Sequence, residues 1–384
     1  MIYFDNAATG GSKPYCVRET VNSVIAFLCA NPTRSGHKLA NAGAEAVFRC
    51  RNLLKEVFGC GSAERVIFTK NCTEALNTAI FGILKKGDHA VMTCAEHNSV
   101  LRPTERLKKS IGLETDVIYP EKNAYISQKY LITYDAIKPF IKKNTRLVIT
   151  NHCSNVTGAF TDVKGIGEGL KRDFPEVLYM VDGAQSGGHV SIDMARDKID
   201  VLCLAGHKGL GGIMGSGALL FSEAADIAPL TFGGTGSDAF KLDQPDYYPE
   251  RLESGTLNLP AIVSLYEGVL ATNPTMGKNA EKLVFLTETL ISALKKTSGV
   301  KVYSQPNPCG IVAFSAENLP SGEYAELLSE KYDIAVRGGF HCAPLMHRYL
   351  ETEKNGLVRI SLSAENTERE TAAFLAAAKE LSFM

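Results

Sequence analysis

The chain has 384 residues, 45% of them hydrophobic and 22% charged, and a formal net charge of -1 that argues against a nucleic-acid or acidic-membrane partner. Its length supports a sizeable core and, at roughly 100–200 residues per domain, two domains, while no apolar run reaches the roughly 18 residues of a membrane-span candidate. Met1-Ile2-Tyr3-Phe4-Asp5 lacks the basic start of a secretory signal, and the ten cysteines include no C-x-x-C pair, so a cytoplasmic protein is expected.

In chain order, apolar β-rich runs alternate with amphipathic helical ones. Strand-like residues 65–69, 89–94, 146–151 and 177–181 are separated by helical residues 73–84, 100–110 and 165–172. That alternation predicts a mostly parallel sheet covered by helices, an α/β fold. Residues 201–205 and 217–221 add two strands. Around residues 251–260 the pattern changes: helices from residue 261 and over 280–296, mixed with strands at 301–303 and 311–315, predict a second, smaller α+β domain.

The first strand ends at Lys70-Asn71-Cys72-Thr73-Glu74, and the helix after it should aim backbone N–H groups and its positive dipole end at an anion. An ordinary N-cap threonine is the equal alternative for Thr73. His97 follows the next strand in Ala95-Glu96-His97-Asn98-Ser99. It reads either as a surface or capping residue or as one of the ligands that gather after parallel strands. Asn155, in Ser154-Asn155-Val156-Thr157-Gly158, reads by itself as a turn residue.

The stretch from Tyr179 to Gly217 is the most informative. One hydrophobic strand ends in Asp182-Gly183-Ala184-Gln185 and the next in Gly206-His207-Lys208-Gly209. A lysine just past a buried strand can be desolvated until its neutral amine attacks carbonyl carbons. Pyridoxal 5'-phosphate needs such a lysine for its aldehyde and a carboxylate to keep its ring nitrogen protonated. Lys208 and Asp182 fit those two requirements. The glycines of residues 209–217 match neither G-x-G-x-x-G nor G-x-x-x-x-G-K-[ST], so a tightly turning loop near a cofactor is expected there, not a nucleotide site.

Near the C-terminus, Cys342 lies in a Gly-rich segment beside His341 with Arg337 nearby, the electropositive setting of a reactive thiol. A small buried apolar cysteine is the alternative. His341, Cys342 and His347 lack a fourth ligand and a pairing motif, so no metal is expected. Arg359, in the alternating run Gly356-Leu357-Val358-Arg359-Ile360-Ser361-Leu362, offers a planar fork for a carboxylate. An edge-strand arginine in solvent is the other reading.

Asp182-Gly183-Ala184-Gln185 followed by Ala205-Gly206-His207-Lys208 resembles the cofactor motif of class V aminotransferases, in particular of cysteine desulfurases and selenocysteine lyases. The likeness continues at Ile2-Tyr3-Phe4-Asp5-Asn6-Ala7-Ala8-Thr9, at Asn31-Pro32-Thr33-Arg34-Ser35-Gly36-His37, at Arg337-Gly338-Gly339-Phe340-His341-Cys342-Ala343 and at Val358-Arg359-Ile360-Ser361. It implies the fold type I of pyridoxal-phosphate-dependent transferases. Residues 16–259 would form the large cofactor-binding domain and 260–384 the small domain, with residues 1–15 packing against the small one. The resemblance implies that Lys208 holds the cofactor and acts as base at Cα, and that Asp182 faces the ring nitrogen. His97 would stack on the ring and move protons, and Gln185 would donate to the ring hydroxyl oxygen. Asn155 would contact a cofactor oxygen or the substrate carboxylate.

Phosphate binding falls by the same resemblance to the backbone of Cys72 and Thr73, to His207 and to Thr256. Thr256 lies in Glu253-Ser254-Gly255-Thr256-Leu257-Asn258, which resembles the family's segment that crosses to the neighbouring subunit, so a homodimer is implied. Two departures stand out: Cys72 occupies a position where a hydroxyl residue is common, and Ala205 replaces a common serine. Arg359 would hold the substrate carboxylate, Arg337 would position its loop, and Cys342 would accept sulfur as a persulfide. L-cysteine or L-selenocysteine is the implied substrate, and a sulfur-acceptor protein the implied partner. A selenocysteine lyase needs no enzymic thiol for its chemistry. In a transaminase or C–S lyase Cys342 would be a bystander, and a sulfur-carrier or regulatory protein would keep the fold without turnover.

Overall fold

The computed structural model describes residues 1–28, 30–32, 35–238 and 240–382; Thr33 and Arg34 of the motif at 31–37 lie outside the described residues. A seven-stranded sheet runs in the order Val66–Thr69, Gly217–Phe221, Val201–Ala205, Leu178–Asp182, Thr145–Asn151, His89–Thr93, Glu114–Ile118. Gly217–Phe221 alone runs against its neighbours, so the sheet is mostly parallel as the alternation predicts.

The strands are apolar on both faces because helices cover both. Val148, Tyr179, Val181 and Leu202 point into one layer with Leu54, Ile166 and Leu170 of helices Lys38–Val57 and Val163–Asp173. Leu147, Ile149, Met180, Val201 and Cys203 point into the other, against Leu76, Ala79, Ile80 and Ile83 of helix Cys72–Ile83. Successive residues of a strand face opposite ways, and each fully buried aliphatic side chain contributes about 1.5–3 kcal/mol.

A second, antiparallel sheet runs Arg337–Gly339, Leu357–Ser361, Ile311–Ala316, Val300–Val302. Leu283, Leu286, Leu290, Phe374 and Leu381 of helices Met276–Leu294 and Glu368–Leu381 pack against Val312, Phe314, Val358 and Ile360 of this sheet. The N-terminus joins it: Ile2–Tyr3 lies parallel to Ile334–Ala335, and Ser361 N donates to Phe4 O at 2.7 Å. Among the described residues no helix is long and apolar enough to cross a membrane.

Candidate active site

The carboxyl ends of the parallel strands open into a cleft of about 90 Å³. Cys72, Thr73, His97, Asn155, Asp182, Gln185, His207 and Lys208 all line it. Arg359, Cys342 and Thr256 do not. Ser99, Asn151 and Cys153, to which the sequence reading gives no role, do.

Asp182 is the last residue of its strand, in register with Asn151 on one side and Cys203 on the other. Its Oδ1 accepts from Ala184 N (2.9 Å) and from Cys72 Sγ (3.4 Å). Oδ2 takes no hydrogen bond from the described residues, which leaves it free for a donor in the cleft. Lys208 stands just past the adjacent strand Val201–Ala205. Burial lowers its pKa; the Asp182 charge opposes this, and the Arg359 and Arg337 guanidiniums reinforce it. An amine so placed gives up its proton more readily than a surface lysine.

Asn71 caps helix Cys72–Ile83 by accepting from Glu74 N at 2.9 Å. The Cys72 thiol turns inward to Asp182; burial first and then the Asp182 charge push its pKa well up, so it stays a neutral donor. Thr73 Oγ1 lies 2.8 Å from Ser99 Oγ, which lies 2.8 Å from His97 Nδ1. Ser99 N also donates to that Nδ1 at 3.1 Å, so Nδ1 is an acceptor and the neutral ring carries its proton on Nε2. His97 is thus the cap of helix Asn98–Ile111 and a cleft residue at once. Burial lowers its pKa, which favours that neutral form.

The N-terminal segment lies along the rim. Thr9 Oγ1 pairs with His207 Nδ1 at 3.0 Å, Lys13 Nζ donates to His207 O at 2.8 Å, and Gln185 Nε2 donates to Ala7 O at 3.1 Å. Burial lowers the His207 pKa to about 4, so this ring is neutral.

Arg359 is not a solvent-facing edge residue: it is 1% exposed on strand Leu357–Ser361. Nη1 donates to Asn155 O and Nη2 to Asp5 Oδ1, both at 2.9 Å, and Nε has no partner. Burial lowers its pKa to about 10, against the pull of Asp5, and the group stays charged. Asp5, absent from the sequence-derived site, belongs to the motif at 2–9 that the sequence singles out.

Cys342 is half-buried beside the cleft. Its carbonyl accepts from Asn98 N at 2.7 Å, and the carbonyl of His341 accepts from Asn155 Nδ2 at 2.6 Å. These bonds fasten the cysteine loop to the residue after His97 and to a cleft residue. His341 and Cys342 have φ of 49° and 57°, a left-handed pair that turns the chain sharply. Arg337 Nη2 lies 4.0 Å from Cys342 Sγ, and Arg337 is the cross-strand partner of Arg359. Thr256 is exposed and lines a separate cavity with Thr69, Lys70, Gly215 and Ser216.

The cleft therefore offers a desolvated amine, a carboxylate oxygen without a bond, a capped helix N-terminus and the buried, unpartnered Asn155 Oδ1. This set fits a cofactor that carries an aldehyde, a basic ring nitrogen and an anionic group.

The profile of the family described as aminotransferase class-V matches residues 2–374. A Pyrococcus abyssi protein named "probable cysteine desulfurase" is 32% identical over 399 residues, covering 99% of this chain and 94% of its own. A protein of the same name from Methanothermobacter thermautotrophicus is 30% identical over 380 residues, covering 96% and 92%. The apo structure of cysteine desulfurase from Thermococcus onnurineus NA1 superposes with a TM-score of 0.88 at 30% identity, covering 100% of this chain and 94% of that one.

Proposed function

The chain belongs to the class V aminotransferase family, and from that premise we propose that it is a pyridoxal 5'-phosphate-dependent cysteine desulfurase, converting L-cysteine to L-alanine. The observation that carries this reading is the pairing of Asp182 and Lys208 at neighbouring strand ends, with Cys342 fastened beside the same cleft. When bound, the cofactor supplies the electron sink for bond breaking at Cα.

Lys208 Nζ would hold the cofactor's aldehyde carbon and, as a free amine, would take the proton from Cα of the substrate. Asp182, through Oδ2, would keep the cofactor's ring nitrogen protonated. The neutral His97 ring would lie against the cofactor and could pass a proton through Nε2. Gln185 and Asn155 orient oxygen atoms of the cofactor and substrate. The backbone of Cys72 and Thr73, with His207, takes the phosphate, and the Thr256 of a second copy completes that grip in a homodimer. Arg359 binds the substrate carboxylate through donors that Asp5 and Asn155 leave free.

Cys342 Sγ then attacks the substrate sulfur. An S–S bond forms as the Cβ–sulfur bond breaks and the electron pair stays with carbon; Cβ is protonated, Lys208 returns the proton to Cα, and the product leaves as alanine. The sulfur remains on Cys342 as a persulfide until a reductant or a cytoplasmic acceptor protein removes it.

Product analysis from L-cysteine, with and without reductant, tests the reading. Alanine with sulfide is expected. Pyruvate with ammonia would mean β-elimination, amino transfer to a keto acid would mean transamination, and bound cofactor without turnover would mean a binding protein; each would overturn the proposal.

A further inference from the structure

Glu96, directly before His97, has no part in the chemistry above, yet it is completely buried. Its Oε1 accepts from Thr93 Oγ1 (2.6 Å) and from Asn151 N (3.0 Å), whereas Oε2 has no partner among the described residues. Asn151 ends strand Thr145–Asn151, is in register with Asp182 and lines the cleft. Its Nδ2 donates to Ala95 O at 2.6 Å, and its Oδ1 is also buried without a partner.

Two unpartnered oxygens therefore belong to residues already joined by the Asn151 N–H to Oε1 bond. No Lys or Arg among the described residues donates to either Glu96 oxygen. An ionised carboxylate here would be desolvated with a bare oxygen, which is costly, and it would leave Asn151 Oδ1 without a donor. The carboxylic acid removes both problems, because its Oε2–H is a donor that serves Oδ1 directly or through one buried water.

We propose that Glu96 is a positioning residue that works as the neutral acid, supplying the donor that holds the Asn151 amide at the cleft floor and leaving Asp182 as the one carboxylate charge among the described residues that line the cleft. The significance of that single charge rests on the role given to Asp182 above. Burial raises the Glu96 pKa to about 8; Thr93 and Asn151 N–H oppose this, and the Asp182 charge adds to it. Cys94 on its own turn and Tyr179 on the strand of Asp182 also face it, and both stay protonated because burial raises their pKa values. His97, the next residue, is neutral. Ionisation of Glu96 would set a second negative charge against Asp182 and make Lys208 and His97 more basic.

The test uses the full-length protein as purified, wild type and Glu96→Gln, followed by infrared spectroscopy from about pH 6 to about pH 10. Wild type should show the carbonyl band of a protonated buried carboxylic acid, lost with a midpoint of about 8, and Glu96→Gln should lack it. Stability gives an independent reading. A carboxyl whose folded pKa lies above its unfolded value of 4.5 adds stability that is complete below 4.5 and lost as pH rises to about 8. Relative to Glu96→Gln, the wild-type folding equilibrium should fall by up to about tenfold per pH unit through that window and then level off. The visible absorbance of the bound cofactor should lose, in Glu96→Gln, a pH step near 8 that wild type shows.

An infrared carboxylate signature for Glu96 already at about pH 6, or a Glu96→Gln stability profile parallel to wild type at every pH, overturns the proposal. Neither readout involves turnover, so failure of the desulfurase reading leaves both interpretable.

Discussion

Arg359 is gripped from two sides, by Asp5 Oδ1 and by the carbonyl of Asn155, and that grip aims its remaining donors. A lysine offers a point charge in place of a planar fork and cannot keep both bonds while reaching a substrate. Arg359→Lys is therefore expected to retain the visible absorbance of the cofactor but to bind amino acid about tenfold or more weakly. Loss of a charged hydrogen bond costs on the order of 1.5–3 kcal/mol. Titration of the visible spectrum with L-cysteine measures this, and unchanged binding would remove Arg359 from the site. The chemical types at single positions were legible in the sequence: a lysine and an aspartate after successive strands, a cysteine among glycines and basic residues. Their partners were not. Asp5 meets Arg359 across 354 positions, and the inward turn of Cys72 and the Thr73–Ser99–His97 series depend on how the helix ends face one another.

At the scale of elements, Gly188 shows how the fold places Lys208. Its φ is +83°, and a Cβ added there would lie 2.2 Å from Gly209 O, the carbonyl next to the lysine. Gly188→Ala must shift that backbone or itself, so a loss of about 1–3 kcal/mol in stability is expected, together with weaker cofactor retention. Thermal melting and the visible absorbance of the purified variant check this; wild-type values for both would contradict it. The central strands were legible because their apolar runs are buried on both faces. Strand Glu114–Ile118 was not, since it is an edge strand whose first residues, Glu114-Thr115-Asp116, are polar and only partly covered. Strand Arg337–Gly339 reads as a Gly-rich loop and becomes a strand only through pairing with Leu357–Ser361. That pairing puts Arg337 beside Arg359, and it brings the Cys342 segment to the cleft.

The whole molecule makes the site, because no single layer holds all of it. The central sheet supplies Asp182 and Lys208, the second sheet supplies Arg359 and the Cys342 loop, and the N-terminal segment bridges them through Asp5, Ala7 and Thr9. Thr256 lies outside the cleft, which fits the role proposed for it at the cleft of a second copy. The reaction proposed for this assembly ends with sulfur held on Cys342. The most direct measurement is mass analysis of protein quenched during turnover of L-cysteine, for wild type and Cys342→Ser. The wild-type peptide that contains Cys342 is expected to carry one extra, reductant-labile sulfur, and the variant to bind cofactor and L-cysteine without releasing alanine at the wild-type rate. Alanine formed by Cys342→Ser as fast as by wild type, or the extra sulfur found on Cys153 or Cys309, would contradict it.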